Sequence, residues 1–187
     1  PYNVEVRDQY DNRRTGDVVW IDLISSSTMD GKFDTTSALG GGTFDGNITS
    51  IQTSSGQGLF YYKDTYPGTP IITASVNGTQ YAGNPTITDG TQQQTINGFK
   101  ITAPATGTTW TAGSTQTITW AAYGMSTPFT VQYKDGASWY TVQNSLGAPA
   151  VNASGTSQEW KIPLAITVSS TAQVKIFDAT STYSDVS

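Results

Sequence analysis

The sequence contains no cysteine and no histidine. Without cysteine the chain can form neither a disulfide bond nor a thiolate metal site. Without histidine it lacks both the commonest general base and the commonest transition-metal ligand. Glutamate occurs only at Glu5 and Glu159, so a pair of catalytic carboxylates would have to come mostly from aspartate. These absences favour a protein that is not an enzyme, and we assign it no catalytic residue.

Charged side chains are sparse, at 12% of the 187 residues, and the formal net charge is −5. An acidic surface repels phosphate backbones, so we expect no nucleic-acid partner. No apolar run approaches the length of a transmembrane helix, so we expect no transmembrane segment. The chain begins at Pro1 rather than Met, and we interpret it as a processed product or a piece of a longer protein.

Threonine, serine and glycine are abundant, and no stretch keeps the apolar periodicity of a helix for long. Threonine suits a pleated surface because its side chain is β-branched. Short alternating stretches separated by turn signals, such as Asp30-Gly31 and Asp45-Gly46, predict an all-β chain. The predicted strands are residues 2–7, 18–23, 48–53, 59–63, 70–76 and 91–96, then 101–104, 115–120, 128–133, 138–142, 158–162 and 172–177.

A second domain opens in residues 101–120, where a strand, a glycine-bounded corner and an alternating strand follow one another. We therefore predict two tandem immunoglobulin-like β-sandwiches, residues 1–98 and 99–187, each close to the roughly 100 residues typical of that fold. Residues 97–100 form a short junction between them. Phe99 is the only large apolar residue there, and we expect it to be buried between the domains.

The first half resembles a bacterial immunoglobulin-like repeat of the invasin and adhesin type. In that family the turn after the first strand reads D-x-Y-G-N, and Asp11 stands at the glycine position of this pattern. The residues that carry the resemblance are VEVRDQYDN (4–12), VVWIDLISSS (18–27) and GLFYYKDTYPGTPIITAS (58–75).

The second half is similar to the Kre9/Knh1-type domain. Its matching segments are residues 101–120, the hairpin YKDGASWYTV (133–142), EWKIP (159–163) and the late strand VKIFD (174–178). Together the two resemblances imply immunoglobulin- or fibronectin-like sandwiches with an extracellular or cell-surface location. They also imply a structural or adhesive role, as a repeat segment or subunit of a surface filament or stalk.

The same family patterns predict that each sandwich lacks an edge strand. A neighbouring copy, or an adjacent repeat of the same polypeptide, would fill the gap by β-augmentation. Repeated head to tail, this contact would build a fibre. The predicted exchanged strands are residues 2–7 and 183–187, and the residues expected at the contact are Tyr2, Val4, Val6, Tyr183 and Val186.

A polar connection near the start of the chain is a candidate calcium site. Asp8, Asp11, Asn12 and Asp17 lie close together there, and Ca²⁺ takes six to eight oxygen ligands. The alternative is a solvated turn, because Asp and Asn side chains bond to their own backbone in turns. No other cofactor is expected.

Aromatic residues offer an alternative function, a carbohydrate-binding module of a secreted polysaccharide-active protein. Trp139, Tyr140 and Tyr123 are the candidate residues for stacking on a sugar. Aromatic side chains are large hydrophobic groups first, however. We expect three other tryptophans, Trp110, Trp120 and Trp160, to lie in a core.

Two further sets of polar residues have a structural and a functional interpretation. Asp22 alternates onto the face of Trp20, and the outer face of a sandwich explains it without catalysis. Asn47, Asn77 and Asn152 each begin an N-x-S/T sequence and are candidate glycosylation sites, although such matches arise easily by chance in a threonine-rich chain.

Overall fold

The computed structural model describes residues 1–16, 18–27, 29–37, 44–77, 88–150, 155–170, 172–180 and 184–187. Over these residues the chain is all β, with antiparallel pairing throughout and no helix, which confirms the predicted class. None of this described part contains a helix long and apolar enough to cross a membrane. The chain divides into two compact units, Pro1–Ile96 and Asn97–Ser187, two residues before the predicted boundary.

The first unit contains two antiparallel sheets. One has the strand order β1-β5-β3 and the other β4-β2-β6-β7. β3 was not predicted, because a three-residue strand with one apolar residue leaves no alternating pattern to detect. The strands are β1 (Tyr2–Glu5), β2 (Trp20–Ser25), β3 (Lys32–Asp34), β4 (Ser50–Gln52), β5 (Gln57–Lys63), β6 (Ile71–Val76) and β7 (Gly90–Gln93).

Side chains from both sheets form the core of the first unit. Ile21 and Leu23 on β2 and Ile72 on β6 belong to the same buried cluster as Phe33 on β3 and Phe60 on β5. Removing such side chains from water stabilises a fold by about 1.5–3 kcal/mol each. The inward residues alternate with outward ones along β2, as its sequence predicts.

The second unit also contains two antiparallel sheets, with the orders β12-β9-β8 and β11-β10-β13-β14. The chain crosses from one sheet to the other between β9 and β10, between β11 and β12, and between β12 and β13. The strands are β8 (Gly98–Ala103), β9 (Thr115–Tyr123), β10 (Phe129–Asp135), β11 (Ser138–Thr141), β12 (Ser157–Lys161), β13 (Val174–Asp178) and β14 (Ser184–Val186).

Two tryptophans dominate the core of the second unit. Trp120 on β9 and Trp160 on β12 pack in one cluster with Val131 on β10 and Ile176 on β13, so the core lies between the two sheets. Trp110 packs against its margin, and the predicted core role of all three tryptophans is confirmed. The indole N–H groups of Trp120 and Trp160 are buried and make no hydrogen bond to any residue that the structure describes.

The prediction for Phe99 is wrong. Residues 97–100 are not a free junction, because β8 begins at Gly98 and pairs with β9. This pairing turns the Phe99 side chain into the core of the second unit, where its ring meets that of Phe129 edge-on at 5.0 Å. Phe99, although it lies beside the domain boundary, therefore packs in the core of the unit whose strand contains it.

The hairpin between β10 and β11 is as its sequence predicts. Asp135 pairs with Ser138, which leaves Gly136 and Ala137 as a two-residue turn. Gly136 has φ of +59°, a left-handed conformation that glycine adopts without steric cost. The turn fixes the register that places Lys134 opposite Trp139.

A side chain of the last strand connects the two sheets of the second unit. The carboxylate of Asp185 on β14 accepts a hydrogen bond from the backbone N–H of Ile101 on β8, with an N···O distance of 2.6 Å. β8 and β14 are the neighbouring edges of the two sheets, so this bond closes one side of the sandwich.

Candidate functional site

The carboxylate of Asp8 is committed to its own loop. It accepts hydrogen bonds from the backbone N–H groups of Tyr10 and Asn12, both at 2.9 Å, and from the side-chain amide of Asn12 at 3.2 Å. The backbone bond from Asn12 is the largest of the effects that lower the pKa of Asp8. This is the geometry of an Asx turn.

Three of the four predicted calcium ligands, Asp8, Asp11 and Asn12, lie in the part of the chain that the structure describes. Asp11 pairs with Arg7, at 3.2 Å, and Asp17 lies outside the described residues. Asp11 also has φ of +67°, a left-handed conformation that glycine adopts more easily than aspartate. Among the described residues no group of three or more acidic side chains is placed to hold a metal ion, so the calcium prediction gains no support.

The carboxylate of Asp34 is held by backbone N–H donors from the connection that follows β3. It is buried, and its oxygens accept backbone N–H bonds from Thr36 at 2.8 Å, Asp45 at 2.6 Å and Gly46 at 3.0 Å. These bonds, led by that from Thr36, hold its pKa far below the usual value of 3.8. The carboxylate therefore ties two distant parts of a connection together, which is a structural role.

A second polar cluster surrounds Tyr62. Its hydroxyl donates to Asp64 at 2.7 Å and lies 2.8 Å from the hydroxyl of Ser25. Burial is the main cause that raises the pKa of Tyr62 to about 12. A Cβ added at Gly31 would lie 2.6 Å from this hydroxyl, so the cluster leaves room only for glycine.

Asp22 lies on the outer face of its sheet, as predicted. Its carboxylate accepts a hydrogen bond from the side-chain amide of Asn77 at 3.2 Å. Asn77 is partly buried and its amide takes part in this bond, whereas Asn47 is exposed. Asn152 lies outside the described residues.

The two terminal segments proposed for exchange are paired within the chain. β1 pairs with β5, and the ring of Tyr2 stacks on Phe60 at 5.2 Å, while Val4 and Val6 join the same core. β14 pairs with β13, where Val186 is opposite Lys175. Tyr183 lies outside the described residues.

The three predicted sugar-stacking residues do not form one platform. Trp139 and Tyr140 are neighbours on β11, so their side chains point to opposite faces of the sheet. Tyr140 stacks on Tyr133 at 5.7 Å, and Tyr133 in turn packs on Trp160 at 4.9 Å. Tyr123 ends β9 in the other sheet. Trp139 alone of the three lies on the outer face of the sheet β11-β10-β13-β14.

Strand register defines what surrounds Trp139 on this outer face. Val131 and Ile176 are buried, so the residues that alternate with them on β10 and β13 point outward. We call this surface the outer face of the second unit. Its central members are Trp139, Thr141, Gln132, Lys134, Lys175 and Phe177.

The two lysines of the outer face lie over aromatic rings. The ammonium nitrogens of Lys134 and Lys175 are 6.0 and 5.9 Å from the centroid of Trp139. Lys175 is also 5.0 Å from the centroid of Phe177. Such cation–π contacts contribute about 0.5–1 kcal/mol at exposed sites. Trp139 and Phe177 are both partly exposed, so the outer face combines accessible rings with positive charge.

Sequence reasoning found Trp139 but missed the residues around it. Lys134 is adjacent to the predicted hairpin and was recognisable from alternation alone. Lys175 and Phe177 are brought to Trp139 by the pairing of β10 with β13, which no local pattern reveals.

Comparison with known proteins gave no relative on which to base a function. No family model, no curated protein and no solved structure matches this chain.

Proposed function

We propose that this chain is a structural or adhesive module of an extracellular or cell-surface protein. Two tandem β-sandwiches act in it as a spacer, without enzymatic activity. The observation that carries the proposal is that each unit surrounds a separate core with side chains from two sheets. Units that are stable by themselves can be placed in series without sharing a core.

The strand order of the second unit supports an immunoglobulin- or fibronectin-type sandwich. Lettered A to G along the chain, its strands form the sheets E-B-A and D-C-F-G. The constant-type immunoglobulin domain has the sheets A-B-E-D and C-F-G. The second unit differs only in that its fourth strand pairs with the third instead of the fifth.

For the first unit we propose only a β-sandwich, without assigning it to the immunoglobulin type. In its described part β2 pairs with β4 and β6, whereas the second strand of a constant-type immunoglobulin domain pairs with the first and the fifth. We therefore treat the first unit as a β-sandwich of its own topology, and the second as the immunoglobulin-like one.

A mechanical experiment tests the spacer role. The full chain is stretched by its two ends in a single-molecule force experiment. Two separate unfolding events are expected, each releasing roughly 300–350 Å of chain, because an extended residue spans about 3.3–3.6 Å. A single event that releases the whole chain would contradict two independent units. Turnover on a polysaccharide panel that disappears in Asp22→Asn would support an enzyme instead.

The proposal includes assembly with other copies or with adjacent repeats. In this assembly the edges of two sheets pair with each other, and no strand is exchanged. Donation of β1 or β14 would first break pairing that the chain already makes. Among the described strands β7 is the last of its sheet, and its four residues are exposed and uncharged, so no charged side chain of β7 opposes pairing at this edge. Gln92→Lys should then reduce self-association in sedimentation experiments. An unchanged association would exclude this edge.

Carbohydrate binding is the second candidate function. The partly exposed ring of Trp139 on an open sheet face supports it, because aromatic rings stack on the apolar faces of sugars. Binding to a glycan array that is lost in Trp139→Ala is the expected result. Loss in Tyr140→Ala instead would place the site on the opposite face.

A further inference from the structure

The distribution of charge differs between the two units. Residues 1–96 contain ten acidic and five basic side chains, so the whole net charge of −5 lies there. Residues 97–187 contain four of each sign and are neutral overall. The outer face concentrates two of those four positive charges, at Lys134 and Lys175. None of the described residues that register places on this face is acidic.

Among the residues that the structure describes, no carboxylate forms an ion pair with either of these two lysines. Lys134 donates a hydrogen bond to the side-chain amide of Gln173 at 3.2 Å, which leaves its charge uncompensated. The ammonium group of Lys175 contacts two rings, those of Trp139 and Phe177. Aromatic rings stabilise a cation weakly and do not cancel its charge. The face is thus complementary to an anion that also has apolar surface.

We propose that the outer face of the second unit binds an acidic polysaccharide, a polymer of uronic acid residues. The sugar rings stack on Trp139 and Phe177, and the carboxylates pair with Lys134 and Lys175. This inference deepens the carbohydrate-binding candidate and rests on it, whereas the spacer role does not depend on it.

The spacing of the lysines favours a polymer over a single small anion. Lys134 and Lys175 stand on neighbouring strands, offset by two residues, because Lys175 is opposite Gln132. Diagonal neighbours of this kind are about 7–8 Å apart across a sheet. The two lysine side chains therefore start from separate backbone positions, so each ammonium group can pair with a different carboxylate of one polymer chain. Gln132 and Thr141, opposite each other between the rings, provide hydrogen-bonding groups for sugar hydroxyls.

The experiment uses the full chain and three probes of matched length. Polygalacturonate carries the sugar ring and the charge, its methyl ester carries the ring alone, and polyglutamate carries the charge alone. Binding is measured by calorimetry at low salt. Polygalacturonate is expected to bind most tightly and to weaken as ionic strength rises, because the Debye length falls from about 10 Å at 0.1 M to about 3 Å at 1 M.

Substitutions on the face separate its two contributions. Trp139→Ala should weaken polygalacturonate binding about tenfold, through loss of stacking. Lys175→Gln and Lys134→Gln should each weaken it about threefold and reduce its salt dependence. The matched controls are Tyr140→Ala on the opposite face and Lys161→Gln on β12, and neither should alter binding. Circular dichroism verifies that each variant is folded.

The outcomes distinguish this inference from the function on which it rests. Equal binding of polygalacturonate and its methyl ester, insensitive to both lysine variants, overturns the acidic-polysaccharide inference but keeps carbohydrate binding. Polyglutamate binding as tight as that of polygalacturonate overturns the inference in favour of a general polyanion surface. Binding of none of the probes, together with an empty glycan array, overturns both.

Discussion

Trp160 offers a sharp test of the second unit. Its indole ring is 5% exposed and packs against the rings of Tyr133 and Trp110, at centroid distances of 4.9 and 5.8 Å. Its N–H group is buried and has no hydrogen-bond partner among the described residues. Replacing Trp160 by Ala and by Phe therefore separates the contribution of ring packing from the cost of burying the N–H group.

The two substitutions should lower the free energy of unfolding by very different amounts. Trp160→Ala removes the whole ring, and truncation of a buried aromatic residue typically costs about 3–5 kcal/mol. Trp160→Phe leaves a smaller cavity, which costs roughly 1–2 kcal/mol. It also removes an unsatisfied donor whose burial costs about 1–3 kcal/mol. We therefore expect the free energy of unfolding of Trp160→Phe to lie within about 1 kcal/mol of the unsubstituted chain.

Calorimetry of the full chain measures both effects. For a domain of this size 1 kcal/mol shifts the melting temperature by roughly 4–8 °C, so Trp160→Ala should lower one transition by about 12–40 °C. The transition of the first unit should not move, because its core contains none of these residues. If Trp160→Phe costs as much as Trp160→Ala, the indole N–H is satisfied and the reasoning fails.

Three further predictions concern the connections. Because the folded-state pKa of Asp34 is depressed, its contribution to stability is present above about pH 4 and is lost as the pH falls through that folded-state pKa. In Asp34→Asn the free energy of unfolding of the first unit should therefore depend less steeply on pH in the acid range. An unchanged pH dependence would contradict this. Gly31→Ala should destabilise the first unit by about 1–3 kcal/mol, because its Cβ would meet the Tyr62 hydroxyl, whereas Gly68→Ala should be nearly neutral in the same melting experiment. Gly136→Ala should lower the free energy of unfolding by about 1 kcal/mol through the positive φ alone, since a Cβ there meets no atom within 4 Å. If denaturant unfolding shows no change in stability, the turn must change its conformation.

Much of the fold was predictable because local patterns determine it. Alternation along 115–120 places Ile118 and Trp120 inward, and Asp135-Gly136 forms the expected hairpin. Both features depend on residues within a few positions of each other. The same local rule places the side chains of Trp139 and Tyr140 on opposite faces of β11, a consequence that the prediction of a shared set of sugar-stacking residues overlooked.

The remainder depends on pairing between distant strands. The outer face exists because β13 pairs with β10, which brings Lys175 and Phe177 next to Trp139 from another part of the sequence. The core position of Phe99 depends on the pairing of β8 with β9. The in-chain partners of β1 and β14 likewise follow from the whole fold, so a sequence pattern could identify the terminal segments as strands without identifying their partners.

The bond between Ile101 and Asp185 has a consequence for the order in which the molecule folds. The two residues are 84 positions apart, so the second sandwich cannot close until nearly all of its residues are available. Contacts of such long sequence separation make folding slow, because chain entropy is lost before the contact is gained. During synthesis from the N-terminus, the first unit can fold while the second is still incomplete. A folded first unit would then precede a second unit that is still incomplete, and β14 would be the last strand to join the sheet that bears the outer face.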